Sequence, residues 1–310
     1  MKKNSIYLVV AMVATILSAC NSGKEIVTDA GMRYTLFEEG SGDIASGDMI
    51  MVHFVAKDVN DSVWMDSRID GRPRPAKKID SISTQNQGGL EEVLFYVKIG
   101  DSVSCKVPIY KLYGNRPNPN VVDRQALLTI NMKIDTAMNK EAFQTYKQRM
   151  IIKQREGDAK KAEEQLAADI TMIDAHLAEN NIEALKTESG MRYIITQEGE
   201  GENVQLKQRI KANYTGHVLN GAFFDSSIEE VAKEKGLYKE GRTYGPFETA
   251  IGVGGVIKGW DEAFQLLNEG SKATLYIPSG LAYGTRERSA EITANAILVF
   301  DVELIEIITE

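Results

Sequence analysis

A short phrase that occurs twice constrains the fold of this chain more than any other feature. Gly31–Tyr34 reads Gly-Met-Arg-Tyr, and the same letters return at Gly190–Tyr193. Further motifs recur in the same order along both halves. The corresponding positions are Glu39-Gly40 and Glu198-Gly199, Phe54 and Tyr214, Asp66-Ser67 and Asp225-Ser226, Gly89–Glu92 and Gly259–Glu262, Tyr113-Gly114 and Tyr283-Gly284, and Ala126–Leu128 and Ala296–Leu298. Such an order is typical of an internal duplication, so each half is expected to be one domain of the same fold.

Both halves are dominated by short segments in which apolar and polar residues alternate, the pattern of half-buried strands. These segments are Met49–Val55, Val103–Ile109 and Leu127–Ile134 in the first half, and Arg209–Tyr214, Ala273–Ile277 and Ile297–Ile305 in the second. Each half also contains one short helical pattern, Leu90–Val97 and Trp260–Leu267. The pattern predicts an α+β fold in each half, an antiparallel sheet half-wrapped around one short helix.

Residues 136–187 differ in composition from both halves, because they contain no proline, a single glycine (Gly157), and many Lys, Glu, Gln and Ala. They predict a linker of two helices, with Asp158 capping the second. The apolar seam of that second helix is Ala162, Leu166, Ile170, Ile173 and Leu177. The seam fits helices that pack on each other or on a domain, or an arm that forms a homodimer through residues 140–180. It is shorter than the three or four heptads that indicate a coiled coil, which favours the first interpretation.

The N-terminus has the pattern of an export signal. Lys2 and Lys3 precede the apolar run Ile6–Leu17, which is too short for a spanning helix of about 20 residues. The ending Leu17-Ser-Ala-Cys20 resembles the lipobox of bacterial lipoproteins. The resemblance implies a signal peptide at 1–19, lipidation of Cys20, and a lipidated tether over 20–27. The alternative is an ordinary cleaved signal that carries a cysteine by chance.

Charge and residue usage exclude several classes of function. The net charge of −8 gives the chain no electrostatic reason to bind nucleic acid. Once Cys20 is lipidated only Cys105 remains, so no internal disulfide is expected, and Cys105 is predicted to be a small buried apolar residue. The histidines, His53, His176 and His217, lack metal-ligand spacing, and no nucleophile elbow or phosphate-binding loop is present. We therefore expect no metal and no cofactor.

The segment Gly245–Trp260 is rich in glycine and places Phe247, Val256, Ile257 and Trp260 close together in sequence. With Tyr214 and Phe224 upstream, it predicts an aromatic-walled cup that works by shape and by excluding water. Taken singly, such aromatic residues usually belong to a core.

The full order of these motifs carries a specific resemblance. The motifs are Tyr214-Thr-Gly, Phe224-Asp-Ser-Ser, Gly245-Pro-Phe, Val256-Ile-Lys-Gly-Trp260, Ala282-Tyr-Gly and Leu298-Val-Phe-Asp. Over about residues 190–310 the chain closely resembles the FKBP-type peptidyl-prolyl cis–trans isomerases. The resemblance implies an antiparallel half-barrel around one short helix and a proline pocket. Its residues would be Tyr214, Phe224, Asp225, Phe247, Val256, Ile257, Tyr283 and Phe300, with Trp260 as the floor.

Further roles follow from the same resemblance. The carboxylate beside the pocket corresponds to Asp225, while the Ile257 N–H and the Tyr283 hydroxyl would hold substrate carbonyls. Thr249 stands where the family usually has an aromatic residue, and the loop after Gly284 carries Arg288 and Glu291. Substrates would be proline-containing polypeptides, including unfolded exported proteins.

The first half resembles the same family weakly. Phe54 replaces the pocket tyrosine, Met65 the phenylalanine before Asp66, Leu90 the tryptophan, and Ile130 the last phenylalanine. The stretch matching Gly245–Ile257 is short and polar, at Lys77–Gly88. We predict no isomerase activity there and a structural or docking role.

The predicted organisation is a degenerate FKBP-like domain at 28–135, a helical linker at 136–187 and an isomerase domain at 188–310. The whole layout resembles a lipoprotein of a diderm bacterium, exported and lipid-anchored to the envelope, at the outer membrane or the periplasmic face. Two other functions fit the same fold: a non-catalytic, membrane-tethered holdase, and a protein-interaction scaffold.

Overall fold

The computed structural model describes residues 23–308, apart from Asp70, 114–122, Arg124 and Asn220. The predicted signal peptide, Cys20 and Gly114 lie outside the described residues. Across those residues the chain divides into two compact units, with the boundary between Ile151 and Ile152. None of the helices that the structure describes is both long enough and apolar enough to cross a bilayer.

The first unit is an antiparallel sheet with two short helices. Its elements are β1 (Lys24–Val27), β2 (Arg33–Glu38), β3 (Met49–Lys57), β4 (Val63–Asp66), β5 (Arg74–Lys77), α1 (Leu90–Tyr96), β6 (Ser102–Pro108), α2 (Ile109–Tyr113) and β7 (Leu127–Met138). The strand order is β1-β2-β6-β7-β3-β4, and β5 also pairs with β3. Alternate residues of β7, from Leu128 to Ile134, are buried, as period-2 patterning requires.

The core of this unit contains Cys105, which is 3% exposed, and residues of α1 such as Val93. Burial raises the pKa of the Cys105 thiol to about 12. The prediction that Cys105 is a small buried residue is therefore confirmed.

The second unit repeats this strand order. Its elements after the long helix are β8 (Leu185–Lys186), β9 (Arg192–Gln197), β10 (Glu200–Asn203), β11 (Arg209–Val218), β12 (Phe223–Ser226), α4 (Glu229–Glu234), β13 (Phe247–Ala250), α5 (Lys258–Ala263), β14 (Asn268–Glu269), β15 (Lys272–Ile277) and β16 (Leu298–Ile308). The order β8-β9-β15-β16-β11-β12, with β13 paired to β11, matches that of the first sheet strand for strand. The α+β architecture is as predicted.

One helix, α3 (Lys140–Glu179), replaces the two helices predicted for the linker. Gly157 and Asp158 lie inside it, so the predicted break and cap at this point are wrong. A glycine inside a helix costs only about 1 kcal/mol relative to alanine, and the flanking Ala, Lys, Glu and Gln are strong helix formers. The helix therefore continues through the glycine.

The linker also differs from its predicted bounds. Its first residues belong to β7, which ends at Met138, and β8 joins the sheet of the second unit. In α3, Ile173 and Leu177 share a core with residues of β15 and β16. The seam thus packs on the second unit, and pairing of two copies through residues 140–180 stays a prediction.

Candidate functional site

An aromatic cluster lies between α5 and the strands of the second unit, with Trp260 at its centre. The Trp260 ring centroid is 5.2 Å from those of Tyr214 and Phe300 and 6.1 Å from that of Phe247. Each pair meets edge to face, a geometry that aromatic rings favour. Only 5% of Trp260 is exposed, so this residue forms the base of the cluster.

The close approach of α5 to the sheet depends on a glycine. A β-carbon at Gly259 would lie 2.5 Å from Cγ2 of Ile277 in β15, closer than any side chain allows. The absence of a side chain at Gly259 lets Trp260 lie low between the helix and the strands.

A cavity of about 570 Å³ opens above this base. It is lined by all nine residues that the sequence predicted for the pocket: Tyr214, Phe224, Asp225, Phe247, Val256, Ile257, Trp260, Tyr283 and Phe300. Six further residues line it: Lys239, Arg242, Gly255, Arg288, Ser289 and Ile292. We call this space the prolyl cavity, after the proline pocket that the sequence resemblance implies.

A three-residue polar network fixes one wall of the prolyl cavity. The Tyr214 hydroxyl donates to Oδ2 of Asp225 at 2.6 Å. The Arg242 guanidinium donates to both carboxylate oxygens, with Nη2 3.3 Å from Oδ2, and approaches the Tyr214 oxygen at 3.4 Å. The backbone N–H of Ser226 adds a further bond to Oδ1 of Asp225 at 2.9 Å. The tyrosine and the carboxylate therefore have little freedom to rotate.

The network also sets the ionisation of its members. Burial works to raise the pKa of Asp225, but the hydrogen bonds from Arg242 and Tyr214 outweigh it and hold that pKa below its usual value. Burial first, and then the bond to Asp225, raise the pKa of Tyr214 to about 12. The wall thus contains a neutral phenol and a carboxylate paired with a guanidinium.

Sequence reasoning missed Arg242. It lies in a charged segment between Ser227 and Thr243 that carries none of the pocket motifs. The segment contains the short helix α4, with Ala232 buried, and the loop beyond it brings Arg242 and Lys239 to the cavity. The clue to Arg242 in the sequence was Asp225, because a half-buried carboxylate needs a partner of opposite charge or a hydrogen-bond donor.

The loop after Gly284 forms the opposite side of the opening. The Arg288 guanidinium lies 4.9 Å from the ring centroid of Tyr283, a cation–π distance. The Arg288 N–H donates to the carbonyl of Ile292 at 3.0 Å, which folds Ile292 into the lining at 6% exposure. Glu291 and Thr249 are not among the lining residues.

One donor at the base of the cavity is unused. Among the described residues, Nε1 of Trp260 has no hydrogen-bond acceptor although it is buried. Within the same residues, no group of three or more His, Cys, Asp and Glu side chains is arranged to hold a metal ion. Nine of the fifteen lining residues are aromatic or aliphatic, and five are charged or polar.

Comparison with known proteins identifies the family. The family model described as FKBP-type peptidyl-prolyl cis-trans isomerase matches residues 200–305. An FK506-binding protein of Neisseria meningitidis serogroup A is 39% identical over 111 residues, which are 36% of this chain and 90% of that protein. This chain belongs to the FKBP-type peptidyl-prolyl cis–trans isomerase family.

Two longer family members also match part of this chain. The FKBP-type isomerase FkpA of Buchnera aphidicola (Acyrthosiphon pisum) is 37% identical over 123 residues, 40% of this chain and 44% of the relative. The FKBP-type 22 kDa isomerase of Escherichia coli is 41% identical over 122 residues, 39% of this chain and 52% of the relative. The chain therefore matches only about half the length of these two relatives or less.

The strand register shows which residues of the first unit take the positions of the cavity residues in the second. Ser67 bonds both backbone groups of Phe54, with its Oγ 2.8 Å from the Phe54 nitrogen, just as Ser227 bonds Tyr214 at 2.9 Å. Ser67 therefore corresponds to Ser227, one position away from the match inferred from sequence. The carboxylate position of Asp225 is then held by Met65, which faces Ala56 as Asp225 faces Gly216.

The same register corrects two further matches. Trp64, not Met65, takes the place of Phe224. Arg74 faces Val52 on β3 as Phe247 faces Ala212 on β11, so the stretch that matches Gly245–Ile257 includes Arg74 and begins before Lys77. The sequence match aligned Asp66-Ser67 with Asp225-Ser226, but in the structure Asp66-Ser67 corresponds to Ser226-Ser227, one position further along.

Proposed function

We propose that the second unit catalyses cis–trans isomerisation of X–Pro bonds in the prolyl cavity, acting on proline-containing polypeptides. The observation that carries the proposal is the assembly of all nine predicted residues around one mainly apolar cavity, with Trp260 beneath it. The family membership supports the same activity.

The chemistry suits a site without a nucleophile. Rotation about an X–Pro bond faces a barrier of roughly 18–20 kcal/mol, because amide resonance must be broken, and takes about 10–100 s uncatalysed. The twisted amide has less charge separation than the planar one. An apolar, water-poor cavity therefore favours the twisted form, which is catalysis by differential binding.

The required stabilisation is moderate. Bringing the reaction to milliseconds takes about four to five decades in rate, or roughly 5.5–7 kcal/mol. Exclusion of water supplies part of it, and hydrogen bonds to the substrate supply the rest. The Tyr283 hydroxyl and the Ile257 N–H, at the N-cap position of α5, are the groups we assign to substrate carbonyls.

The polar network serves the cavity by holding its wall. Asp225 stays ionised and paired with Arg242, and Tyr214 stays neutral, so neither exchanges protons with the substrate at neutral pH. In this proposal Tyr214 presents its ring to the proline, while Asp225 and Arg242 keep that ring in place.

A protease-coupled assay on a short Xaa-Pro peptide tests the activity. Phe224→Ala removes a cavity wall and should lower kcat/KM by about tenfold or more. Phe223→Ala is the matched control, because Phe223 precedes it on β12, contacts His217 and Lys235, and is absent from the cavity lining. Equal activity in both variants would contradict the proposal.

The same pair separates the isomerase from a holdase. A holdase suppresses aggregation of an unfolded protein whether or not its prolyl cavity is intact. Loss of isomerisation with Phe224→Ala, together with unchanged suppression of aggregation, would assign the two activities to different surfaces. Suppression of aggregation by a wild type that shows no isomerisation would favour the holdase alone.

We also propose that the protein is exported and held at a membrane by lipid on Cys20, with unfolded exported proteins as its substrates. The basic, apolar and small-residue segments that precede Cys20 support this. Labelling cells with a radioactive fatty acid tests it. Label should enter the wild-type protein and not Cys20→Ser.

A further inference from the structure

The C-terminal half of α3 is built into the second unit. Ile173 and Leu177 are buried against Tyr276 of β15 and Val299 of β16. They also pack on Ile297, the residue before β16. Such a contact fixes one face of the helix on the sheet. Polar residues on that face are therefore held where the second unit can use them.

Asp169 is the polar residue on this face that is most completely buried, at 1% exposure. Its Oδ2 accepts the backbone N–H of Ser279 at 2.7 Å and the Ser279 hydroxyl at 2.6 Å. Its Oδ1 accepts Nε2 of Gln165 at 2.7 Å. The carboxylate thus has donors on both oxygens and is oriented by them.

Ser279 connects this carboxylate to the wall of the prolyl cavity. It begins the 3-10 turn Ser279–Leu281 and is itself fully buried. Its carbonyl accepts the N–H of Ala282 at 3.0 Å and the N–H of Gly284 at 2.8 Å. Tyr283 lies between these two anchored residues and lines the cavity.

We propose that Asp169 is a positioning residue for the isomerase site, which acts through Ser279 to hold the turn that carries Tyr283. The proposal rests on the proposed function of the prolyl cavity. It makes the C-terminal half of α3 part of the isomerase domain, although the family model begins only at residue 200.

Among the described residues, the backbone N–H and the hydroxyl of Ser279 donate only to the Asp169 carboxylate. Without the Asp169 carboxylate, a buried N–H and a buried hydroxyl lose their partner, and the turn must rearrange to satisfy them. Because Ser279 accepts the N–H groups on either side of Tyr283, a shift of Ser279 moves the tyrosine. A displacement of the order of 1 Å is enough to lower catalysis strongly.

A second contact of the same helix provides a matched control. Asp174 pairs with Arg192 of β9 through Nε and Nη2, each at 2.9 Å, and also lies 3.6 Å from Lys186. This pair joins α3 to the far strands of the sheet and touches neither Ser279 nor Tyr283. It tests attachment of the helix without testing the turn.

The experiment compares Asp169→Ala, Asp169→Asn, Ser279→Ala and Asp174→Ala in the full chain. The readouts are kcat and KM on an Xaa-Pro peptide, and amide hydrogen exchange at Ala282 and Gly284. We expect Asp169→Ala to lower kcat/KM by about tenfold, mainly through kcat, and to speed exchange at both amides. Asp174→Ala should leave both readouts unchanged.

Asp169→Asn and Ser279→Ala remove only part of the hydrogen bonding, so we expect smaller losses of activity than with Asp169→Ala. Asp169→Asn keeps one oxygen for Ser279, and Gln165 can turn its own amide to match, so it should recover most of the activity. Ser279→Ala removes the hydroxyl bond and keeps the backbone bond, so its effect should be intermediate. These two variants also decide the question if Asp169→Ala does not fold.

Three outcomes would overturn the proposal: unchanged kcat/KM and exchange in all Asp169 and Ser279 variants, an equal loss in Asp174→Ala, or no recovery with Asp169→Asn. If the wild type itself lacks isomerase activity, the proposed function fails and exchange alone decides. Faster exchange at Ala282 and Gly284 in Asp169→Ala would then support the link to the turn, and unchanged exchange would refute it.

Discussion

Gly216 lies so close to Phe224 that a β-carbon built on it would be 2.5 Å from Cζ of that ring. The same β-carbon would be 2.8 Å from Cε1 of Phe300, whose ring lies 5.5 Å from that of Phe224, centroid to centroid. Because Gly216 has no side chain, the rings of Phe224 and Phe300 pack directly on the backbone of β11. The glycine sets the width of the cavity.

Gly216→Ala should consequently narrow or distort the prolyl cavity. Both rings must move to make room, and we expect kcat/KM to fall by about tenfold, with a loss of stability of about 1–3 kcal/mol. The measurement is peptide isomerisation alongside urea unfolding. Ala222→Gly, in the turn before β12, is a control for a change of one methyl group nearby. Full activity in Gly216→Ala would show that the rings are free to shift.

The pairing of Arg242 with Asp225 predicts a change in acid sensitivity. Asp225 has a lowered pKa in the folded state, so the stability it contributes is present above the ordinary pKa of the carboxyl group. That stability is lost only as the pH falls through the lowered value. Arg242→Met removes the largest lowering influence and leaves burial, which raises the pKa. The loss should then begin at a higher pH.

The measurement is kcat/KM and thermal stability from about pH 3 to pH 8. We expect Arg242→Met to shift the acid limb upward and to lower kcat/KM at neutral pH by about three- to tenfold. Arg209→Met breaks an exposed pair with Glu248 outside the cavity and serves as the control. An identical acid limb in wild type and Arg242→Met would refute the assigned role.

The altered pocket positions of the first unit predict that it contributes no isomerase activity. Phe54 corresponds to Tyr214 by register, but Met65 and Arg74 stand where Asp225 and Phe247 stand in the second unit. Tyr214→Ala should lower kcat/KM by about tenfold or more, whereas Phe54→Ala should leave it within about twofold. Both variants should lose about 1–3 kcal/mol of stability in urea unfolding. A fall in activity with Phe54→Ala would place part of the catalysis in the first unit.

The glycine within α3 predicts a stabilising substitution. Apart from the neighbouring residues and backbone of its own helix, no atom of the described residues lies within 4 Å of a β-carbon built at Gly157, and its φ is not positive. Gly157→Ala should therefore stabilise the helix by up to about 1 kcal/mol, measured by helix content during thermal unfolding. Gly199→Ala is the opposite case, because its β-carbon would overlap the carbonyl oxygen of Glu269. Destabilisation by Gly157→Ala would mean that the helix needs a flexible point there.

Much of the fold could be predicted from the sequence because its signals are local. Period-2 alternation located the main strands, and β7 and β16 extend a few residues beyond the predicted ends. The repeated phrase predicted one fold for both halves, and the two sheets have the same strand order. The pocket residues followed from the order of several motifs, each too short to be decisive alone.

Other features could not be predicted because they depend on competition between neighbours. The helix α3 runs through Gly157, since a small local penalty is outweighed by a long run of good helix formers. The one-residue offset of Asp66 is a matter of strand register, which hydrogen bonds set and which a shared Asp-Ser pair concealed.

By itself, the sequence determined which segments alternate, where the chain repeats, and which side chains could form an apolar cup, because each of these is written in neighbouring residues. Only the tertiary structure decided that Arg242 neutralises Asp225 and that Asp169 binds Ser279. Asp169 and Ser279 are 110 residues apart, and a buried carboxylate takes as partners whichever donors the packed fold brings to it. No local sequence pattern specifies the donors to Asp169, because they are brought to it only when α3 packs on the second unit.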